Sequence, residues 1–295
     1  DMTDTQNEVF KTPVNKIRLF EHGAPGSQNL KLTRKYYTED MPDGRVKHIV
    51  QNITDPDIVP YIPDGIGNST DRQRIPAVLI IPGGAFRRLV YNFEGEDVAK
   101  WLNSMGIAAF VLECRLPSDE HDNAEDVPLI DAMRAMRVIR GRAQEFGIDE
   151  AKIGVMGFSA GGFMAALLST AYESDVYADY KYKDEYDKLS ARPDFAVCSY
   201  PVISIDDCIE AGKRYMSEEQ VLERISDSKA KILHKYNPDK LVRPDMPPVF
   251  ICETDDDRTT LSENSVGFYM AARKAGVSAE LHIFRTGGHG YGCGD

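Results

Sequence analysis

From Ile153 the chain reads Ile-Gly-Val-Met, then Gly157-Phe158-Ser159-Ala160-Gly161-Gly162, then Phe163-Met164-Ala165-Ala166-Leu167-Leu168. The first run has the short, continuous apolar character of a strand buried on both faces. The last has the character of a helix packed on a sheet. Very few residues are left in which to turn between them. Glycines around the serine leave room for a strained, tight turn, and a serine at its tip has its hydroxyl pushed into the open. The helix start behind it adds backbone N–H groups that lack intrahelical partners. Such a unit belongs to an α/β sheet, and its layout is that of a nucleophilic serine.

The alternation continues on both sides. Apolar runs at 77–81, 107–112, 195–198, 249–252 and 281–284 read as further strands. Val98, Trp101, Leu102 and Met105 have helical spacing, with Gly106 where a helix would stop. Leu129, Met133, Met136, Ile139, Ala143 and Phe146 form a second stripe, closed by Gly147, and 265–274 a third, with Gly276 behind it. Strands and helices in turn predict a mostly parallel central sheet with helices on both faces. Ahead of it, 30–38, 46–54 and 58–62 carry β-branched and aromatic residues broken by proline and glycine, which predicts an antiparallel lead-in. One domain over 1–295 is expected, with residues 1–12 polar and loose. Two inserts interrupt the rhythm: 171–190, rich in tyrosine and charge, and 203–247, long enough to form a lid or one wall of a pocket.

Charge narrows the partners. A formal net charge of -12 and a pI near 5.0 argue against nucleic acid or an anionic membrane, and no apolar run approaches a bilayer span. The chain opens on Asp1, not methionine, which is compatible with a removed leader. Its five cysteines have no metal-finger spacing. Cys114, Cys198 and Cys252 read as buried small hydrophobes, whereas a bridge between Cys208 and Cys293 stays open.

In an open α/β sheet, functional residues gather beyond the carboxyl ends of the strands. Beyond the strand at 249–252 stand Asp255, Asp256 and Asp257, and beyond the strand at 281–284 stands His289, flanked by Gly287, Gly288 and Gly290. Serine, acid and histidine thus follow in the chain order of nucleophile-elbow enzymes. A base that takes the serine proton, and a carboxylate that orients the base, are what a serine needs to attack a carbonyl. Pro82-Gly83-Gly84-Ala85-Phe86 follows the strand at 77–81. The N–H groups of Gly84 and Ala85, with that of Ala160, are expected to form the oxyanion hole, because negative charge developing on the carbonyl oxygen needs donors already aimed at it. The remaining histidines have no ligand spacing, so neither a metal site nor a cofactor is indicated, and the acidic run lacks the register of a calcium hand. Arg87, Arg88 and tyrosines 172, 177, 180 and 182 are candidates for a sugar subsite, although a solvated surface with partly buried rings is the commoner outcome.

With these segments in place, the chain resembles the α/β-hydrolase esterases, and within them the acetyl xylan esterase and related carbohydrate esterase group. The likeness rests on Pro82-Gly83-Gly84, Glu94-Gly95 with Val98-Ala99, Arg115-Leu116-Pro117, the run 157–162, Glu263-Asn264-Ser265, and Glu280-Leu281-His282 leading to Gly287-Gly288-His289-Gly290. It covers the chain from about Ala77 onward. The resemblance implies an α/β-hydrolase fold and metal-free hydrolysis of carboxylic esters on plant-wall sugars, with a small-molecule or oligosaccharide ester as partner. It also implies an Asp-Asp pair before Arg258 whose first member is the triad acid, which selects Asp256 and leaves Asp257 second. Two features depart from the pattern: Ala85 replaces a third glycine, and the chain ends at Asp295, where such folds commonly continue into a helix. A peptidase of the prolyl-peptidase type and a silent binding protein on the same scaffold are the alternatives. A wall-sugar substrate places the protein in the periplasm or outside the cell, with the cytoplasm as the alternative.

Overall fold

The computed structural model describes residues 10–66, 73–226 and 230–294. The lead-in contains β1 (Ile17–Arg18), β2 (Lys35–Asp40), β3 (Val46–Gln51) and β4 (Asp57–Tyr61). Then come β5 (Ile75–Ile81), β6 (Leu89–Val90), a π-helical turn at Asn92–Glu96, α1 (Asp97–Ser104) and β7 (Ala108–Glu113). The middle of the chain supplies α2 (Val127–Gly141), α3 (Ala143–Phe146), β8 (Ile148–Phe158), α4 (Ala160–Ala171) and β9 (Ala196–Ser199). Three helices, α5 (Ile205–Tyr215), α6 (Glu218–Ser226) and α7 (Ala230–Lys235), occupy the second insert. The chain finishes with β10 (Val249–Thr254), α8 (Ser262–Lys274) and β11 (Ala279–Phe284).

Eight strands form the central sheet in the order β1-β4-β7-β5-β8-β9-β10-β11. From β7 to β11 every pairing is parallel, while β4 joins β7 and β1 joins β4 antiparallel. Parallel strands covered on both faces have no solvated side to alternate with, which is why β7 is buried at every residue and β5 along its last five. The antiparallel lead-in divides: β4 extends the main sheet, whereas β2, β3 and β6 form a separate three-stranded sheet. Residues 30–34 lie outside the strand expected over 30–38. β8 starts earlier than its apolar run, because the partly buried Asp149 and the exposed Glu150-Ala151-Lys152 extend it. Of the loose segment expected over 1–12, residues 1–9 lie outside the described residues, while Phe10 stacks on His48 with ring centroids 4.5 Å apart.

The expected insert is helical and sits beside the carboxyl ends of the strands. Lys235 and Tyr236 bond Asp126 at the start of α2, Arg214 pairs with Glu263 at the start of α8, and the Arg258 guanidinium lies over the Tyr215 ring. Among the described residues no helix is long and apolar enough to cross a membrane. All five cysteines are free thiols, including Cys208 and Cys293.

A buried ion pair joins the loop after β7 to α2. Arg115 is fully buried, its Nη2 lies 2.7 Å from Asp131 Oδ1, and its backbone N–H donates to Oδ2 at 2.8 Å. Its remaining guanidinium donors reach Ser27 Oγ at 2.8 Å and the Pro25 carbonyl. Such a pair adds little by existing, but removing one partner strands a charge without water. Asp131→Ala is therefore expected to cost about 3–5 kcal/mol of unfolding free energy in urea titrations, far more than removal of an exposed partner such as Glu145.

Candidate active site

Ser159 follows the last residue of β8 and precedes the first of α4. Its backbone is strained, with φ 55° and ψ −117°, a conformation that costs a non-glycine residue about 1–3 kcal/mol. The surroundings hold it there. Its N–H donates to Ser199 O at 3.0 Å and its carbonyl accepts from Phe163 at 3.0 Å. The turn also demands a backbone approach that no side chain permits, since a Cβ on Gly157 would fall 1.9 Å from the Gly161 carbonyl oxygen. Among the described residues six non-glycines have positive φ, and four of them (Ala85, Phe86, Ser159 and Tyr200) stand in or beside this site. Strain collected in one place marks a functional region.

The expected serine and histidine meet, and the carboxylate against the ring is Asp257, the second choice. His289 Nε2 lies 2.9 Å from Ser159 Oγ, and its Nδ1 lies 2.6 Å from Asp257 Oδ2. The carboxylate expected in this role, Asp256, does something else: its Oδ1 accepts the Gly288 N–H at 2.8 Å and its side chain is exposed. The reason is local. Asp257 Oδ1 accepts the N–H groups of Thr259 and Thr260 at 2.7 and 2.9 Å, a turn that pulls its side chain inward to 2 % exposure beneath the imidazole. Thr260 Oγ1 adds a third donor to Asp257 at 2.9 Å. Burial pushes the Asp257 carboxyl up, yet the contact with His289 and the two amides outweigh it, and the carboxyl titrates below its usual range. Asp256 is likewise held low, chiefly by the Gly288 N–H.

The loop beyond β5 lies against the serine. A Cβ on Gly83 would come 3.0 Å from that of Ser159. The Gly83 N–H is occupied by Glu94 Oε2 at 2.8 Å, whereas those of Gly84, Ala85 and Ala160 make no hydrogen bond among the described residues. A small pocket opens beside them, with an accessible volume of about 10 Å³, lined by Gly84, Phe86, Leu116, Pro117, Ala160 and Met164 among others. Ala85 is not in its wall.

Sequence reasoning passed over several residues of this neighbourhood. Glu94 and Tyr200 are buried next to the histidine, and Thr260 touches both Asp257 and His289. Glu253 is also buried, its Oε1 accepting Thr254 N–H at 3.0 Å and its Oε2 the Ser265 hydroxyl at 3.3 Å. A threonine stands three residues after both Asp256 and Asp257, so spacing gave no signal between them. A carboxylate in an otherwise apolar strand was the signal for Glu253. The tyrosines considered for sugar pack elsewhere: Tyr177 bonds Arg137 and Asp187, Tyr180 bonds the Gly23 carbonyl, Tyr172 lies under Arg243, and Tyr182 rests on His22. Arg88 pairs with Glu39 and forms part of the pocket wall. Among the described residues no three histidine, cysteine or acidic side chains gather as metal ligands would.

Comparison with known proteins adds the lineage. Residues 66–271 match the BD-FAE family model. The chain belongs to the BD-FAE family. It is 31% identical over 220 residues to an acetylxylan esterase of Xylanibacter ruminicola, covering 74% of this chain and 41% of that one, so the chain spans less than half the length of that relative. An acetyl ester-xyloside bifunctional hydrolase from Caldicellulosiruptor lactoaceticus superposes with a TM-score of 0.66 at 34% identity, over 94% of this chain and 88% of the other. The carboxylesterase Cest-2923 from Lactobacillus plantarum superposes with a TM-score of 0.64 at 21% identity, over 88% and 86%, and shares the fold. The architecture of this BD-FAE chain is that of the α/β-hydrolase esterases.

The buried Glu253 carries a consequence for stability. Burial first, and then the negative charge of Asp257, push its carboxyl up to about 9 from an ordinary value of 4.5. The folded state thus holds this proton more tightly than the unfolded chain, so the contribution is full below about pH 4.5 and is lost as pH rises toward about 9. Glu253→Gln removes the titration. Melting temperature is expected to fall between pH 5 and pH 9 more steeply for the wild type than for Glu253→Gln.

Proposed function

We propose that the protein is a carboxylic ester hydrolase that removes acetyl groups from plant-wall carbohydrate through an acyl-serine intermediate. The unbroken line of contacts Ser159–His289–Asp257 carries the reading. In it, the imidazole takes the hydroxyl proton as Oγ attacks the ester carbonyl. Asp257 orients the ring and balances the charge it gains. Backbone N–H groups of Gly84 and Ala160, with Ala85 as a further donor, receive the oxyanion, each worth about 3–4 kcal/mol in comparable sites. The ring then returns its proton to the departing alcohol, and water activated the same way releases the acid.

Two further features support the details. The pocket beside Gly84 and Ala160 has room for about one water-sized group, which fits the methyl of an acetyl ester. The 203–247 insert, standing beside the strand ends, is suited to form one wall of the alcohol site. The acetylxylan esterase and acetyl ester-xyloside hydrolase among the similar proteins agree with a xylan-type alcohol, a substrate found outside the cell or in the periplasm. A neutral sugar ester is indifferent to the net charge of -12.

Ser159→Ala is expected to abolish the burst of chromophore from nitrophenyl acetate; retained turnover defeats the proposal. Asp257→Asn should lower kcat about 10⁴-fold, as loss of the orienting carboxylate does elsewhere, while Asp256→Asn stays within tenfold of wild type. Acetate should be released from acetylated xylo-oligosaccharides much faster than ferulate from feruloylated ones. Nitrophenyl hexanoate should be turned over at least tenfold more slowly than the acetate, and Leu116→Ala should narrow that gap.

A further inference from the structure

Glu94 reaches the site from an unusual piece of backbone. The Asn92–Glu96 turn is π-helical, with the Glu96 N–H bonded back to Tyr91 O at 2.8 Å, a rare geometry that recurs at functional sites. Asn92 anchors the turn to β3, accepting from His48 N–H at 2.9 Å and donating to Val46 O at 2.8 Å. The turn aims Glu94 inward to 5 % exposure. There its Oε2 accepts the Gly83 N–H at 2.8 Å and its Oε1 accepts the Tyr200 hydroxyl at 2.9 Å. The same hydroxyl accepts the Gly292 N–H at 3.0 Å, three residues past the histidine, and the fully buried Tyr200 ring stands edge-on to His289 with centroids 5.0 Å apart.

We infer that Glu94 is a positioning residue, its two carboxyl oxygens tying the Gly83–Gly84 loop to the His289 loop through Tyr200, so that oxyanion donors and base are held at one fixed separation. The inference rests on the esterase reading above. Burying a carboxyl among neutral donors is costly, and a side chain serving packing alone gains nothing from it. Two acceptors on one rigid group are what two N–H and O–H donors from different loops require. Burial pushes the Glu94 carboxyl up, against the bonds from Tyr200 and Gly83 and the nearby His289. Each oxygen serves a different loop. Removing both contacts should therefore loosen both loops, and removing one should loosen one.

The test uses Glu94→Ala, Glu94→Gln and Tyr200→Phe in the full chain, with kcat and KM on nitrophenyl acetate and amide hydrogen exchange over residues 82–88 and 287–292. Glu94→Ala is expected to lower kcat about a hundredfold with KM within twofold, since misplacing reacting groups by about 1 Å costs on that order, and to raise exchange in both segments. Tyr200→Phe should lower kcat about fivefold to tenfold and raise exchange in 287–292 alone. Glu94→Gln, which keeps one acceptor, should recover at least tenfold of the alanine loss. Glu94→Ala within threefold of wild type, or a loss confined to KM, overturns the inference. If the alanine variant does not fold, Tyr200→Phe and Glu94→Gln decide: wild-type kcat and exchange in both is fatal. A wild type that hydrolyses no acetyl ester defeats the esterase reading instead, and the exchange pattern still judges the tie between the loops.

Discussion

The contact between the Ser159 turn and its neighbours is the constraint on which the site depends. Ser159 leaves β8 in a strained conformation, and it stays there because the turn is bonded to β9 on one side and runs into a helix buried from Ala160 to Thr170 on the other. The small residues of α4 let that helix lie close on the strands, which places the N–H of Ala160 beside the loop beyond β5. A larger side chain at Gly157 would move the helix, and with it Ser159 and the Ala160 N–H together.

Around that turn the sheet distributes tasks among separate strands. β8 leads to the Ser159 hydroxyl, β10 to the Asp257 carboxylate, β11 to the His289 imidazole, and β5 to the Gly83–Gly84 loop. Parallel strands end on the same side, so groups distant in sequence arrive at one rim without any long connection reaching across the molecule. Asp256 and Asp257 then divide the work of fixing the histidine. The first holds the backbone of Gly288, and the second holds the ring. Two adjacent carboxylates thus hold both the backbone beside one imidazole and the ring itself.

Much of this was legible in the residues. Continuous apolar runs located the strands, because a parallel sheet covered on both faces leaves no polar alternation. Ser159 and His289 stood just past such runs, flanked by glycines, and the structure brings them within hydrogen-bonding distance. The choice within Asp255-Asp256-Asp257 was not legible, since it turns on which aspartate bonds the amides of Thr259 and Thr260. That is a matter of loop conformation and not of residue type. Glu94 escaped for a different reason: a π-helical turn has no periodicity by which to foresee where its side chain points. The separate sheet of β2, β3 and β6 was hidden because β6 has only two residues.

The acidic run beyond β10 has an electrostatic side as well. Asp255 and Asp256 are exposed on the loop that carries the orienting carboxylate, in a chain already bearing a net charge of -12. On the proposed chemistry an uncharged ester enters and a carboxylate ion departs. Exposed carboxylates, screened only over about 8–10 Å in physiological salt, are neutral toward the first and repel the second. The rim that positions the base would then also hasten clearance of the product, leaving little reason for the liberated acid to linger and compete.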